Sequence, residues 1–406
     1  MSFDVAAVRG QFPMLARPSD DRPLCYLDNA ATSQVPRAVI EAVEAYETGA
    51  RANVRRGVYR LAEKATEAYE AARRRVAGYL GVDAGEVIFT SGATAALNLV
   101  ARAFGDSLAA GDEVVISEAE HHSNIVPWQM LRDRRSVVLK VLPVTDEGRL
   151  DISALDDVVT SRCRLIAVTH VSNVTGAVTD VAAIVDAAGA VGARVLLDGA
   201  QRTPHGPLHL PALGVDFYGF SGHKMFAPTG VGVLWARRDV LEAMPPFLGG
   251  GEMIRNVTFE RTTFAPPPHK FEAGTPPIAQ AIGLGAACDW LTGFDWSAIS
   301  AHELGLTQHL LDGLDGFEGV RVIGPAGLQD RVGVVSFDLA GAHPHDVCQI
   351  LDRHGVALRG GHHCAQPLVE RFGLAGITRA SIALYNDDAD IDALFEGLEQ
   401  AARVLT

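Results

Sequence analysis

Phe217-Tyr218-Gly219-Phe220-Ser221-Gly222-His223-Lys224 is the stretch on which the reading of this chain turns. Its first residues form a short apolar run, and a Ser-Gly turn signal follows before a histidine and a lysine. A run of this kind bounded by turn residues reads as a buried strand opening into a loop. A lone lysine beyond a strand most often snorkels to solvent. Placed behind Ser, Gly and His at the edge of a sheet, it also suits a Schiff base beside groups that hold an anion.

The same grammar stands upstream in Val195-Leu196-Leu197-Asp198-Gly199-Ala200-Gln201. A carboxylate directly after an apolar run is costly to bury without a partner. A pyridinium nitrogen is one such partner, kept protonated by the anion so that the ring accepts electrons; a helix cap is the plainer reading of Asp198 alone. Gln201 follows at a distance suited to a ring's phenolic oxygen. Phe89-Thr90-Ser91-Gly92-Ala93-Thr94 runs from a strand into a helix, where free N–H groups and the positive helix end favour phosphate. Glu120-His121-His122 follows another apolar run, and an imidazole there can stack on an aromatic ring or move a proton.

Runs at 87–89, 114–116, 165–168, 195–197 and 217–220 are the expected buried strands, with helices at 93–104 and 181–191 between them. Alternation of this kind predicts an α/β fold with a mostly parallel sheet covered on both faces, and a ligand at the carboxyl ends of its strands. Residues 245–268 are rich in Gly and Pro and read as an irregular excursion, a hairpin or an interface arm. From about Leu291 the pattern changes to a smaller α+β unit, with runs at 320–323, 332–339 and 356–358 and helices near 345–354 and at the end.

Composition narrows the class. The 406 residues suffice for two domains, and 48% hydrophobic with 21% charged residues is ordinary for a soluble globular protein. A net charge of −14 argues against phosphate-backbone binding, so no nucleic-acid partner is expected. The basic stretch at 51–60 is followed closely by acidic residues. No apolar stretch is long enough for a membrane span, and no signal segment opens the chain. Five cysteines without CxxC pairing fit a reducing compartment, so the expected location is cytoplasmic.

The phosphate turn, the histidine, the aspartate and the lysine, in that chain order, resemble the fold-type I, class V aminotransferase-like enzymes that use pyridoxal 5′-phosphate. Within them the chain resembles the group II, SUF-type cysteine desulfurases, from Tyr26-Leu27-Asp28-Asn29-Ala30-Ala31 to Arg379-Ala380-Ser381. His121-His122-Ser123-Asn124-Ile125-Val126-Pro127-Trp128 and Phe271-Glu272-Ala273-Gly274-Thr275-Pro276 belong to the likeness. The resemblance implies a large cofactor-binding domain at 26–290. Residues 1–25 and 291–406 would form a small domain carrying the cysteine loop. It implies that Lys224 holds the cofactor, Asp198 pairs with the pyridine nitrogen, Gln201 binds the phenolic oxygen and His121 stacks on the ring. Thr94, Ser221 and His223 would hold the phosphate, with Thr275 reaching in from a second subunit of a homodimer. Asn173, Arg359 and Arg379 would bind the substrate.

Arg359-Gly360-Gly361-His362-His363-Cys364-Ala365 separates desulfurases from transaminases. Cys163 and Cys288 read as small core residues, whereas Cys364 lies in a Gly- and His-rich loop with Arg359 nearby, the kind of surroundings that can make a thiol reactive. Zinc held by His362, His363 and Cys364 is the rival; adjacent ligands rarely converge on one tetrahedral ion, so no metal is expected. The implied activity is conversion of L-cysteine to L-alanine with a persulfide on Cys364, passed to a sulfur-acceptor protein for iron–sulfur cluster assembly. Selenocysteine lyase or cysteine sulfinate desulfinase activity would use the same residues, and a non-catalytic assembly scaffold is the reading from another class. Arg55-Arg56-Gly57-Val58-Tyr59 departs from the family's His-Arg-Gly-hydrophobic-His, and Gly92-Ala93-Thr94-Ala95 lacks a hydroxyl and an acidic side chain of the usual phosphate turn.

Overall fold

The computed structural model describes residues 3–17 and 22–405. Residues 1, 2 and 18–21 of the N-terminal part assigned to the small domain, and residue 406, lie outside the described residues. Apolar residues in the middle of the chain build a seven-stranded sheet. Its strands lie in the order Val87–Thr90, Gly232–Ala236, Phe217–Ser221, Arg194–Asp198, Cys163–Thr169, Glu113–Ser117 and Val138–Leu142. All neighbouring pairs are parallel except those made by Gly232–Ala236, which runs antiparallel to both its neighbours.

Side chains alternate across each strand, so successive residues enter different cores. Leu196 and Phe217 join Leu97 and Val100 of helix Ala93–Ala103 on one face. Leu197, Tyr218 and Phe220 join Tyr69, Val76, Ile282 and Leu284 on the other, the latter carried by helices Arg60–Leu80 and Ile278–Thr292. Each large apolar side chain so buried contributes roughly 1.5–3 kcal/mol. Burial on both faces explains why these strands read as unbroken apolar runs rather than alternating ones. The sequence reading did not single out Val138–Leu142, a half-exposed edge with Lys140 at its centre, or Gly232–Ala236, which follows Pro228 and Gly230.

The C-terminal unit is a four-stranded antiparallel sheet ordered Val320–Ile323, Val334–Leu339, Ile377–Ser381, Arg359–Gly361. Leu310, Leu314, Phe337, Leu351, Leu394 and Leu398 fill its core beneath helices Trp296–Asp315, Pro344–Asp352 and Asp388–Leu405. Cys25–Tyr26 pairs in parallel with Val356–Ala357, Leu27 enters this core, and Asp28 bridges to Ser381. This part of the chain therefore follows the C-terminal unit as far as Asp28. Helix Val5–Arg9 ties both units: Arg9 pairs with Asp390 at 2.8 Å, while Val8 and Phe12 enter the large core. Within 245–268 the chain forms a short antiparallel hairpin, Ile254–Val257 with Thr262–Phe264, that leaves Val257, Phe259 and Phe264 exposed.

Candidate active site

The carboxyl ends of the parallel strands meet the C-terminal unit at a cavity of about 230 Å³. Lys224, Asp198, Gln201, His121, Thr94, Ser221, His223, Asn173, Arg359 and Arg379 all line it. Residues up to 285 positions apart in the chain (379 − 94) are thus brought to one wall. Five strands explain most of this set, because each ends at the same rim of the sheet.

Strand Phe217–Ser221 passes into a tight turn, Gly222–Lys224. Gly222 is needed there because a Cβ would lie 2.9 Å from the Val231 side chain and 3.1 Å from its carbonyl. The His223 carbonyl accepts from Ser33 N–H and Thr32 Oγ1, both at 3.0 Å, which pins the turn to the N-terminal segment. Among the described residues Lys224 Nζ has no hydrogen-bond partner. Burial lowers the Lys224 pKa to about 8, with Asp198 opposing and Arg379 and Arg359 adding to the fall. A lysine so tuned is a nucleophilic amine near neutral pH.

Asp198 ends its strand, buried, with Oδ1 accepting the Ala200 N–H at 3.0 Å. Burial raises its pKa, opposed by the Ala200 N–H and Lys224. Among the described residues its other oxygen has no hydrogen-bond donor, and Asp198 lines the cavity, where a pyridinium N–H would satisfy it. Gln201 donates Nε2 to the Ala30 carbonyl at 2.8 Å, leaving one amide N–H for a cavity acceptor. The cradle for phosphate lies opposite. Ser221 Oγ accepts the Ala93 N–H at 2.8 Å and Gly92 receives the Ala96 N–H at 3.1 Å. The Thr94 and Ala95 N–H groups are left at the helix start for an anion. Gly92 has φ +151, and a Cβ on Gly232 would strike its Cα at 2.5 Å, so the turn needs both glycines. Free donors, an open carboxylate oxygen and an unbonded amine fit pyridoxal 5′-phosphate.

His121 caps the following turn: its Nδ1 accepts the Ser123 N–H at 3.1 Å. Burial, reinforced by Lys224 and His122, lowers its pKa to about 3. The ring is neutral at physiological pH, which suits stacking and makes it a weak proton acceptor. Its placement rests on Glu120, fully buried, which accepts from Thr169 N–H at 2.9 Å, Asn124 Nδ2 at 2.6 Å and the Ser117 hydroxyl. Burial pushes the Glu120 pKa up to about 8.

Arg359 and Arg379 stand directly opposite each other on antiparallel strands. Like charges so paired repel unless an anion lies between them. Arg379, fully buried, spends Nη2 on Asp28 and Nη1 on the Asn173 carbonyl, both at 2.9 Å, and its Nε has no partner. Arg359 has no carboxylate partner in the described residues. Guanidinium donors so placed suit an anion such as a carboxylate.

Cys364 lies just behind His363, half-buried and free, and does not itself line the cavity wall. His363 and Cys364 take φ of +52 and +57. Consecutive non-glycine residues in the left-handed region cost about 1–2 kcal/mol each. The turn persists because Asn173 Nδ2 donates to the His363 carbonyl at 2.7 Å and the His363 ring meets the Ile377 carbonyl at 3.1 Å. His122 N–H also donates to the Cys364 carbonyl at 2.7 Å. His362 is exposed while the His363 ring is buried; among the described residues no His, Cys, Asp and Glu cluster could hold a metal.

Thr275 is not brought to this cavity. It is exposed beside a second cleft of about 480 Å³ with Ser91, Ala95, Leu248 and Pro276. The sequence reading gave no role to Asp28, Glu120 or His122, nor to the buried Arg73–Glu272 pair at 2.6 Å. Glu272 also accepts the Phe89 N–H at 2.9 Å and Arg55 Nη2 at 2.9 Å, so it anchors the strand that leads into the phosphate turn. Arg55, one of the departures from the family pattern, is therefore a member of a buried ion network. A carboxylate inside the motif Phe271-Glu272-Ala273-Gly274 was the available signal.

This fold and cavity define a pyridoxal-phosphate enzyme of the class V type, and residues 25–394 match the family model for aminotransferase class-V. A probable cysteine desulfurase from Streptomyces coelicolor is 50% identical over 98% of this chain and 97% of its own length. A cysteine desulfurase from Dickeya dadantii is 45% identical over 99% and 98%. The cysteine desulfurase CsdA from Escherichia coli superposes with a TM-score of 0.92 at 39% identity, covering 100% of both chains. The chain belongs to the aminotransferase class-V family, in its cysteine desulfurase branch.

Proposed function

We propose that this cysteine desulfurase moves the sulfur of L-cysteine onto Cys364 and releases L-alanine. The observation that carries the reading is one cavity holding an unbonded Lys224 amine, the buried Asp198 carboxylate and the opposed Arg359 and Arg379. Asp198, Gln201 and His121 would hold the cofactor ring; Thr94, Ser221 and His223 its phosphate, with Thr275 of a second subunit completing that site. Bound there, pyridoxal 5′-phosphate supplies an electron sink for charge developing at the substrate Cα.

Arg379 and Arg359 bind the substrate carboxylate and turn its Cα hydrogen toward Lys224. The neutral Lys224 amine takes that proton. The Cys364 thiolate attacks the substrate sulfur: a sulfur–sulfur bond forms, the Cβ–S bond breaks, and its electron pair stays with the substrate carbon. Protonation of that carbon gives alanine. A sulfur-acceptor protein then takes the outer sulfur for iron–sulfur cluster assembly, in a reducing cytoplasm. A homodimer is supported by the exposed hairpin residues Val257, Phe259 and Phe264 and by the cleft at Thr275.

The test is L-cysteine added to purified cofactor-loaded protein, with alanine assayed and the Cys364 peptide weighed. One extra sulfur on that peptide supports the reading; the sulfur on Cys25 or Cys348, or none, refutes it. Selenocysteine and cysteine sulfinate, offered in competition, rank the substrate preference.

A further inference from the structure

Asn173 and His122 hold the Cys364 loop from across the domain boundary, and His122 holds it twice. His122 lies in the turn His122–Asn124 of the large unit, next to the ring-stacking His121. Its backbone N–H donates to the Cys364 carbonyl at 2.7 Å. Its ring Nε2 accepts the N–H of Gln366 at 3.1 Å. Gln366 opens helix Gln366–Arg371, so that N–H has no partner inside the helix, and no side chain of the helix's own flank caps it. The two bonds flank Cys364 and Ala365 and fix the residue whose φ is +57.

We propose that His122 is a positioning residue for sulfur transfer, clamping the Cys364 loop in its left-handed form only while its ring is neutral. The inference rests on Cys364 as the sulfur acceptor. Gln366 presents an N–H, which needs an acceptor; a protonated imidazole presents two N–H groups and has none to offer. Protonation therefore turns the clamp from attraction to repulsion and frees the loop.

Burial, and then the neighbouring His362, lower the His122 pKa, so the neutral ring and the clamp hold at physiological pH. The clamp is present above the ordinary histidine range and is lost as pH falls through the lowered value. Among the described residues His121, His362 and Cys364 are titratable groups beside His122. The His121 ring, 6.2 Å away, has its pKa lowered to about 3 by burial, with Lys224 and His122 adding to the fall. His362 is exposed and bonds to the loop through its carbonyl, not its ring, which accepts nothing from Gln366.

The experiment uses the cofactor-loaded enzyme and compares His122→Ala, His122→Gln, His362→Gln and Cys364→Ser. Alanine formation, the spectral response to cysteine, and alkylation of Cys364 by iodoacetamide are followed against pH. Expected for His122→Ala is about a tenfold lower kcat with KM for cysteine and the spectral response retained, as one backbone anchor is lost. Cys364 alkylation should become faster and lose the part of its pH dependence that loop opening gives, keeping the fall in acid that thiol protonation imposes on any alkylation. His122→Gln keeps an acceptor that does not titrate. It should restore most of kcat and hold Cys364 protected at pH values where the wild-type loop opens, whereas His362→Gln keeps the acid limb and moves it to higher pH, because His362 is one of the groups that lower the His122 pKa.

Wild-type kcat and alkylation in His122→Ala would overturn the proposal. So would a His122→Gln enzyme with the wild-type acid limb, a result that stands even if the alanine variant does not fold. Undiminished desulfuration by Cys364→Ser would instead remove the underlying assignment of the acceptor.

Discussion

The cofactor side and the cysteine side of this cavity are built on different principles. Asp198 and Lys224 sit at or just past the ends of buried parallel strands, and their positions follow from the sheet itself. Cys364 sits on a left-handed turn beyond an edge strand, and its position follows from hydrogen bonds reaching in from Asn173, His122 and Ile377. The first arrangement resists change because moving it means moving a core. The second is held by a few bonds, each worth about 1 kcal/mol net. In the function proposed for it Cys364 meets substrate and then a second protein, and the second kind of support suits that task.

Breaking the cofactor side has the largest expected effect. Lys224→Ala removes both the covalent anchor and the base; turnover should fall by at least roughly 10²–10⁴-fold, and borohydride should no longer fix a pyridoxyl group on the protein. Labelling of a different lysine in the wild type would contradict the assignment. Cys364→Ser should abolish persulfide formation while the visible spectrum still responds to cysteine, since the strand-end residues are untouched. Mass spectrometry and absorbance together check this.

Glu272→Ala tests the support beneath the phosphate turn. Removing a buried carboxylate from two arginines and a backbone N–H should cost about 3–5 kcal/mol, read as a lower thermal midpoint. An unchanged midpoint would mean the network contributes nothing to the cradle.

The pH dependence of cofactor uptake sharpens the contrast further. The neutral Lys224 amine is the reactive form, and its fraction grows as pH rises through about 8 instead of through the ordinary lysine range. Uptake by the cofactor-free protein, followed by absorbance, should rise with pH to a midpoint near 8. In Asp198→Asn the midpoint should fall, because the carboxylate is what opposes the lowering. The smallest effect is expected from Asn173→Ala, which loses one bond to the Cys364 turn: about 1 kcal/mol of stability and a modest fall in kcat with cofactor binding intact.

Legibility followed the same division. The strand runs around Leu196 and Phe217 were visible because burial on both faces makes them continuously apolar, and their polar followers Asp198 and Lys224 were visible for the same reason. Gly232–Ala236 is as apolar, but its antiparallel insertion between Val87–Thr90 and Phe217–Ser221 is a matter of topology that no local pattern carries. At the site, Asp28, Glu120, His122 and Glu272 were missed as partners: each acts through a contact with a residue distant in the chain or with a backbone group, and neither leaves a periodic trace. Thr275 was readable by resemblance, yet it stands at another cleft of its own chain.

By itself the sequence determined the alternation of strands and helices, the identity of the lysine, aspartate and cysteine, and the class of chemistry they suit. These are encoded locally, in hydrophobic period, turn residues and side-chain type. Only the tertiary structure decided that Arg359 and Arg379 face each other, that burial brings Lys224 toward neutrality while holding Glu120 protonated more readily, and that His122 holds the Cys364 turn. Charge proximity, desolvation and cross-domain hydrogen bonds depend on distance in space, which the order of residues along the chain does not contain.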